Sequence, residues 1–361
     1  MRRDFALRFA FALVALLLVA QALRPALDAQ TLDTRPSFTE WLAGVRTEAL
    51  ARGIRQEVVD EALGGVEEPL PVVIERDRAQ AETVLSLEKY INRAVASKTV
   101  RNGREIVARH RALLDEVSER YGVPPRILAG IWGMESSFGR FTGTRPIIAA
   151  LATLAWDPRR SAFFRGELFD ALEIVNRGDI ELTQLRGSWA GAMGQVQFMP
   201  SSYLKFAEDF DGDGRRDVWS DPADIFASIA NYLKGHGWRA DEDWGREVKV
   251  TREAARRIAG GVARRTGGCR ATRDMTAALP PARWQELGVR LPGGKGLPAS
   301  MPASSLVSGD TRYFLVYPNY DAILDYNCAN SYAISVALLG NAVMSAEPQQ
   351  KQPQRKPRTR K

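Results

Sequence analysis

Apolar residues recur at helical spacing from Phe38 onward. Trp41, Val45 and Leu50, and later Ile106, Leu113 and Val117, mark helix faces in a stretch rich in Ala, Glu, Arg and Leu that runs to Glu119. The spacing predicts a helical N-terminal region over 33–119. Between 120 and 239, helical stretches alternate with glycine-rich joints and proline starts, which predicts a helical core. From about 240 the pattern changes. Gly, Pro and Thr rise, and short runs at Val248–Val250, Val289–Leu291 and Tyr313–Tyr317 predict strands in a small β-containing insertion over 240–318. A final helix, Ser331–Met344, sets Ile334, Ala337, Leu338 and Val343 on one face. It belongs to a segment, 319–345, expected to return to the helical region. The class is therefore mainly α, with a minor β part (α+β).

The two ends differ from this body. An apolar run from Phe9 to Ala20 follows Arg2, Arg3 and Arg8, and small residues stand at Ala20, Ala22, Ala26 and Ala29. This predicts a signal peptide over 1–29, cleaved after Ala22 or after Ala29, because 12 apolar residues fall short of the roughly 20 that span a bilayer. An uncleaved anchor is the alternative. No Cys lies near the cleavage region, so a lipoprotein is not expected. The stretch 346–361 ends in QQKQPQRKPRTRK, which has no apolar residue except Pro and predicts a disordered basic tail.

Charge then changes its meaning. The chain carries 50 Lys and Arg against 43 Asp and Glu, a formal +7. Residues 1–30 hold +2 and residues 349–361 hold +6, leaving 40 basic and 41 acidic residues in 31–348. A near-neutral body argues against a general nucleic-acid surface. With 45% hydrophobic residues and two Cys in 361, the chain is globular rather than disordered or a disulfide scaffold. In an oxidising compartment Cys269 and Cys328 can pair, a bond worth about 3–5 kcal/mol by loop closure. Two separate buried thiols are the alternative.

The chemistry concentrates in the core. Pro124 and Pro125 suit a helix start, and RILAGIWGMESSFG keeps helical period until Gly139, a residue suited to the left-handed cap. Glu135 stands three after Trp132, four after Ile131 and seven after Leu128, so it shares the apolar face. Lost hydration there disfavours the charged form, the state a general acid needs. The competing reading is a carboxylate that escapes to water or pairs with Arg140 or Arg145. Gly187–Pro200 combines small residues, which admit a ligand to the backbone, with hydroxyl and amide groups that bind sugars. It lacks the setting of a dinucleotide or phosphate loop. Trp132, Trp156, Trp189, Tyr203, Tyr232 and Trp238 offer ring faces to a sugar, although each alone suits a core.

Asp209-Phe210-Asp211-Gly212-Asp213-Gly214-Arg215 fits the first half of an EF-hand loop: carboxylates at positions 1, 3 and 5, Gly at 6 and the Arg215 carbonyl at 7. Position 12 is Ser220, which departs from the rule, so Asp224 is the expected closing ligand, with Asp221 next. A structural Ca2+ is expected, with sodium, an empty loop or a plain acidic turn as alternatives. His110 and His236 have no second ligand at metal spacing and are expected to pack or lie at the surface.

Met134-Glu135-Ser136-Ser137-Phe138-Gly139, then Ala190-Gly191-Ala192-Met193-Gly194-Gln195-Val196-Gln197-Phe198-Met199-Pro200-Ser201-Ser202-Tyr203, Asp211-Gly212-Asp213-Gly214 and Ala230-Asn231-Tyr232-Leu233 occur in order. Together they resemble the lytic murein transglycosylase B family, glycoside hydrolase family 103, over roughly Phe38 to Ala342. The resemblance implies a lysozyme-like core and non-hydrolytic cleavage of the β-1,4 bond between N-acetylmuramic acid and N-acetylglucosamine, giving 1,6-anhydromuramyl ends. It implies Glu135 as the one acid and base, with no cofactor in catalysis. It places Ser188 on the acetamido group or Glu135, with Gln197 lining the same groove. Tyr232, Tyr326 and Asn327 would close the cleft, and Tyr90 follows from its spacing to Glu135. Arg159 and Arg160 would bind muramyl lactyl or peptide carboxylates. The expected partner is the peptidoglycan strand in the periplasm, with room for cell-wall synthesis or division proteins. The alternatives are a hydrolytic muramidase on this fold and a catalytically silent peptidoglycan-binding scaffold.

Overall fold

Helix α1 (Phe38–Ala51) begins where Ser37 and Glu40 cap each other, so two amide donors at the helix start find partners. Helices α2 (Gln56–Gly64), α3 (Pro71–Ala79), α4 (Leu87–Ala94), α5 (Ser97–Arg109) and α6 (Arg111–Tyr121) follow. The computed structural model describes residues 36–79 and 85–345. The expected signal peptide and basic tail lie outside the described residues. No helix among those described is long and apolar enough to cross a membrane.

The middle of the chain turns around α7 (Pro125–Ser136) and α8 (Ile147–Trp156). Both are buried on nearly every side, as their uninterrupted apolar and small residues require. Next come α9 (Ser161–Arg177), α10 (Pro200–Phe206) and α11 (Pro222–Gly235), with α9 packed on α8 and α11 on α6. A two-stranded antiparallel ribbon joins β1 (Arg145–Pro146) to β2 (Arg186–Gly187), pairing Arg145 with Gly187.

The β-containing insertion has a three-stranded antiparallel sheet with β5 (Tyr313–Val316) between β3 (Gly245–Val248) and β4 (Ser305–Ser308). Of the short helices α12 (Arg252–Gly261), α13 (Arg270–Arg273) and α14 (Pro281–Glu286), α12 and α14 pack Ile258 and Trp284 against the sheet residues, while Ala271 of α13 joins the main core. Its own small core centres on Trp284, whose indole nitrogen donates to the Ser304 carbonyl at 3.0 Å. The predicted strand at Val289–Leu291 is a single bridge from Arg290 to Lys249, and the strand predicted from Val248 instead ends there. Strand β4 was not predicted, because Ser305-Leu306-Val307-Ser308 holds only two apolar residues.

Helices α15 (Asn319–Tyr326) and α16 (Asn330–Met344) return the chain to the core. α16 lies against α4, α5 and above all α7. The approach to α7 is close enough that a Cβ on Gly340 would lie 1.8 Å from the Arg126 carbonyl oxygen, and one on Gly130 2.2 Å from that of Val336. Glycine normally costs a helix about 1 kcal/mol. Here it admits the backbone contact that brings the first turn of α16 to the last turn of α7.

Candidate active site

Glu135 occupies the last turn of α7. That helix ends at Ser136, earlier than the predicted Gly139, because Ser137, Phe138 and Gly139 all take positive φ. The turn is held from inside. Ser136 Oγ donates to the Trp132 carbonyl and accepts from the Gly139 amide, both at 3.0 Å. A Cβ at Gly139 would collide with the Gln195 side chain, so this left-handed position needs glycine for space as well as for φ.

The Glu135 residue is half-buried, and its carboxyl lies almost wholly among protein atoms. Desolvation raises its pKa to about 7, opposed by a hydrogen bond that the Tyr332 hydroxyl donates to Oε1. Three tyrosines share its field. Burial and the Glu135 charge push Tyr326 and Tyr332 well above the ordinary phenol range, and Tyr90 is raised by the same two causes. Among the described residues no second carboxylate perturbs Glu135. Nor does it pair with Arg140 or Arg145.

Tyr332 lies outside every motif that marks the site in the sequence. It begins the buried stripe Tyr332, Val336, Leu339 and Val343 on α16. A tyrosine heading an aliphatic stripe needs a partner for its hydroxyl, and that was the available signal.

Gln195 joins three motifs. Its Oε1 accepts from Trp132 Nε1 at 2.7 Å, and its Nε2 donates to the Trp219 carbonyl at 2.8 Å. The Glu135 turn, the glycine-rich loop and the acidic loop are thereby registered. In the glycine-rich loop, Ser188 Oγ accepts from the amides of Ala190 and Ala192, at 3.2 and 3.0 Å. Its partners are loop amides rather than Glu135. Among the described residues no acceptor takes its O–H. Gln197 sits at φ 52°, and its Nε2 donates to the carbonyls of Gly194 and Thr142. A non-glycine residue held in this conformation marks a position fixed by its surroundings.

Tyr326 donates to the Val196 carbonyl at 2.6 Å, tying the end of α15 to this loop. Tyr232 stands behind it, with ring centroids 4.7 Å apart, and donates to the Asp325 carbonyl at 2.8 Å. Burial lifts the Tyr232 phenol to about 12. Asn327 is exposed just beyond α15. Trp132, Tyr203 and Trp238 are core residues, whereas Trp156 and Trp189 keep partial exposure. His236 stacks on Tyr232 at 4.1 Å, and His110 packs edge-on against Trp132 and Phe226.

Arg159 and Arg160 both pair with Asp77 on α3, and Arg159 also holds Asp157 at 3.1 Å. Their cationic heads already carry carboxylates. Cys269 and Cys328 are bonded, so of the two readings left open the disulfide holds. The bond fastens the insertion beside the corner that bears Tyr326 and Tyr332, and the double hydrogen bond from Arg265 to Asp321, 2.8 Å each, adds to it.

In the acidic loop, carboxylate oxygens of Asp209, Asp211 and Asp213 lie within 4.8 Å of one another. The loop amides fold onto them: Gly212 and Gly214 donate to Asp209, Asp213 to Asp211, and Arg215 to Asp213. Asp224, 1% exposed, accepts from the Phe210 and Asp217 amides at 2.7 Å each and so clasps both sides of the loop. Desolvation raises it to about 6 against those bonds. Asp221 caps α11, accepting from Ala223 and Asp224.

The transglycosylase SLT domain model matches residues 37–341. The chain is 36% identical over 262 residues, 72% of its length, to the membrane-bound lytic murein transglycosylase B of Escherichia coli (strain K12), covering 68% of that protein. SltB3 from Pseudomonas aeruginosa, solved in complex with NAG-anhNAM-pentapeptide, is 38% identical with a TM-score of 0.75, covering 85% of this chain and 79% of that one. The Escherichia coli lytic transglycosylase SLT35 in complex with calcium gives a TM-score of 0.70 at 29% identity, covering 86% and 93%.

Proposed function

The chain belongs to the transglycosylase SLT domain family, as a lytic murein transglycosylase of the B type acting on peptidoglycan, and from this premise we propose that Glu135 alone makes both proton transfers of the cleavage. One observation carries the proposal. A desolvated carboxyl with a pKa near 7 is ringed by tyrosines, with no second acid beside it among the described residues. Hydrolysis with retention or inversion calls on a second carboxylate at a set separation. An intramolecular nucleophile does not.

Protonated Glu135 gives its proton to the glycosidic oxygen as the bond to the muramyl anomeric carbon breaks. Because Tyr332 donates to Oε1, that proton sits on Oε2. The sugar's own acetamido oxygen assists at the anomeric carbon. Glu135, now a carboxylate steadied by Tyr332, then accepts the proton of the muramyl C6 hydroxyl as its oxygen closes on that carbon. The acid is restored and no water is consumed.

Ser188, whose O–H has no acceptor among the described residues, suits the acetamido group, and Gln197 supplies an adjacent amide. Tyr90, Tyr326 and Asn327 would line the glycan path, with Tyr232 bracing Tyr326. Arg159 and Arg160 would take a substrate carboxylate only by sharing with Asp77. We infer that Asp209, Asp211, Asp213 and the Arg215 carbonyl hold calcium, closed by Asp224. The convergent acids and inward amides support this, and the ion's chemistry would be structural. Export to the periplasm agrees with the disulfide, which belongs to an oxidising compartment.

Digestion of purified sacculi tests the proposal. Muropeptides lacking the water increment and resistant to borohydride are expected. Reducible, water-added products alone would make the enzyme a hydrolase.

A further inference from the structure

The turn that joins β4 to β5, residues 309–312, reaches across to the first turn of α4. There Glu88 Oε1 accepts from the Thr311 amide at 2.8 Å and from the Arg312 amide at 3.1 Å, with the Thr311 hydroxyl at 3.5 Å. Amide bonds to a carboxylate are stronger than those to a neutral acceptor. The fit is close, since a Cβ at Gly309 would collide with this carboxylate and with Leu87. Glu88 Oε2 is buried and has no hydrogen-bond partner among the described residues, a cost that subtracts from what the contact contributes to stability. Stability alone therefore explains this carboxylate poorly.

The two sides of the contact differ in rigidity. On the insertion side, Arg312 forks onto Glu247 of β3 at 2.9 and 2.7 Å, and the Gly309 amide donates to the Arg312 carbonyl at 2.8 Å, so the turn is fixed to the sheet. On the other side, α4 has 8 residues, rests on α16 and fully buries only Ile91. So short a helix takes its orientation from its contacts. Tyr90 follows Glu88 by two positions, and side chains two apart on a helix point to nearly opposite sides. Glu88 thus faces the insertion while Tyr90 lines a cavity with Met134 and Ser137 of the Glu135 turn, where the Glu135 charge acts on it.

We propose that Glu88 is a positioning residue: by holding the 309–312 turn it fixes the start of α4 and so places Tyr90 beside Glu135. The β-containing insertion then braces the active site from outside, and its effect on the reaction passes through one carboxylate. The proposal rests on the function proposed above for the part Tyr90 plays along the glycan path.

The test measures kcat/KM on soluble peptidoglycan strands, per folded enzyme and well below the melting temperature. Glu88→Ala should lower it about tenfold, because a small displacement of a group that lines the substrate path is felt in the rate. Gly309→Ala, which pushes on the same carboxylate from the insertion side, should lower it about three- to tenfold and decides the matter if Glu88→Ala does not fold. In a Tyr90→Ala background either substitution should cost less than about twofold, since residues that act through one another are not additive. A folded variant with unchanged kcat/KM and only a lower melting temperature would make the contact purely structural and overturn the proposal. So would an equal loss with and without Tyr90. A wild-type enzyme that releases no anhydro ends would instead sink the underlying function, so the two failures are distinct.

Discussion

Glu135 and Asp224 are both desolvated carboxyls raised above the ordinary range, to about 7 and about 6, yet they sit in opposite company. Glu135 has one side-chain hydrogen bond, from a tyrosine, and aromatic neighbours. Asp224 has a backbone amide on each oxygen, and the charges of Asp221 and Asp211 act on it. Burial by itself therefore does not define a catalytic acid. A carboxyl with a single hydrogen bond, on Oε1, keeps Oε2 to gain and lose a proton during a reaction, whereas one clasped by two amides holds a loop in shape.

The largest effect should come from removing the proton at the first of these sites. Glu135→Gln should lower cleavage of sacculi by about three to four orders of magnitude and leave strand binding within a few-fold. The same variant reports on stability. With a folded pKa of about 7 against 4.5 unfolded, the native state retains the proton longer, so the Glu135 contribution is full below about pH 4.5 and is lost as pH rises through 7. Glu135→Gln should thus melt higher than wild type at pH 8 and near it at pH 4. Equal shifts at both pH values would contradict the desolvated carboxyl.

The acidic loop should respond in the opposite manner. Chelation, or the Asp211→Asn, Asp213→Asn variant, should lower the melting temperature by about 5–10 °C, with calcium restoring the chelated enzyme. Product chemistry should stay the same. A changed product would give the loop a part in catalysis that its geometry does not support.

A smaller effect sharpens the contrast from the side of Glu135. The Tyr332 hydroxyl favours the carboxylate, so Tyr332→Phe should raise the Glu135 pKa and move the high-pH fall of activity upward by less than about one unit. Turnover should drop about tenfold, because the second step loses a donor to the carboxylate. A pH profile that does not move would remove Tyr332 from the proton chemistry.

Much of this was legible because local spacing encodes it. The helical faces from Trp41 to Val117, the place of Glu135 after Leu128, Ile131 and Trp132, and the acidic loop all depend on neighbours a few positions away. What escaped depends on distant ones. Tyr332 reaches Glu135 across 197 residues, through a helix crossing that Gly130 and Gly340 permit. Arg159 and Arg160 looked free because Asp77, 82 and 83 residues earlier, is brought to them only by folding. The cysteine pairing was open for the same reason. Strand β4 was hidden for a different one, since a short edge strand with serine at both ends has no alternating pattern to detect.

Cleavage in water enriched in oxygen-18 tests the single-carboxylate mechanism most directly. Closure by the muramyl C6 hydroxyl leaves the new ends unlabelled at the anomeric carbon, with a mass independent of the solvent. Uptake of one solvent oxygen per bond cleaved would show that water is the nucleophile and would contradict the mechanism.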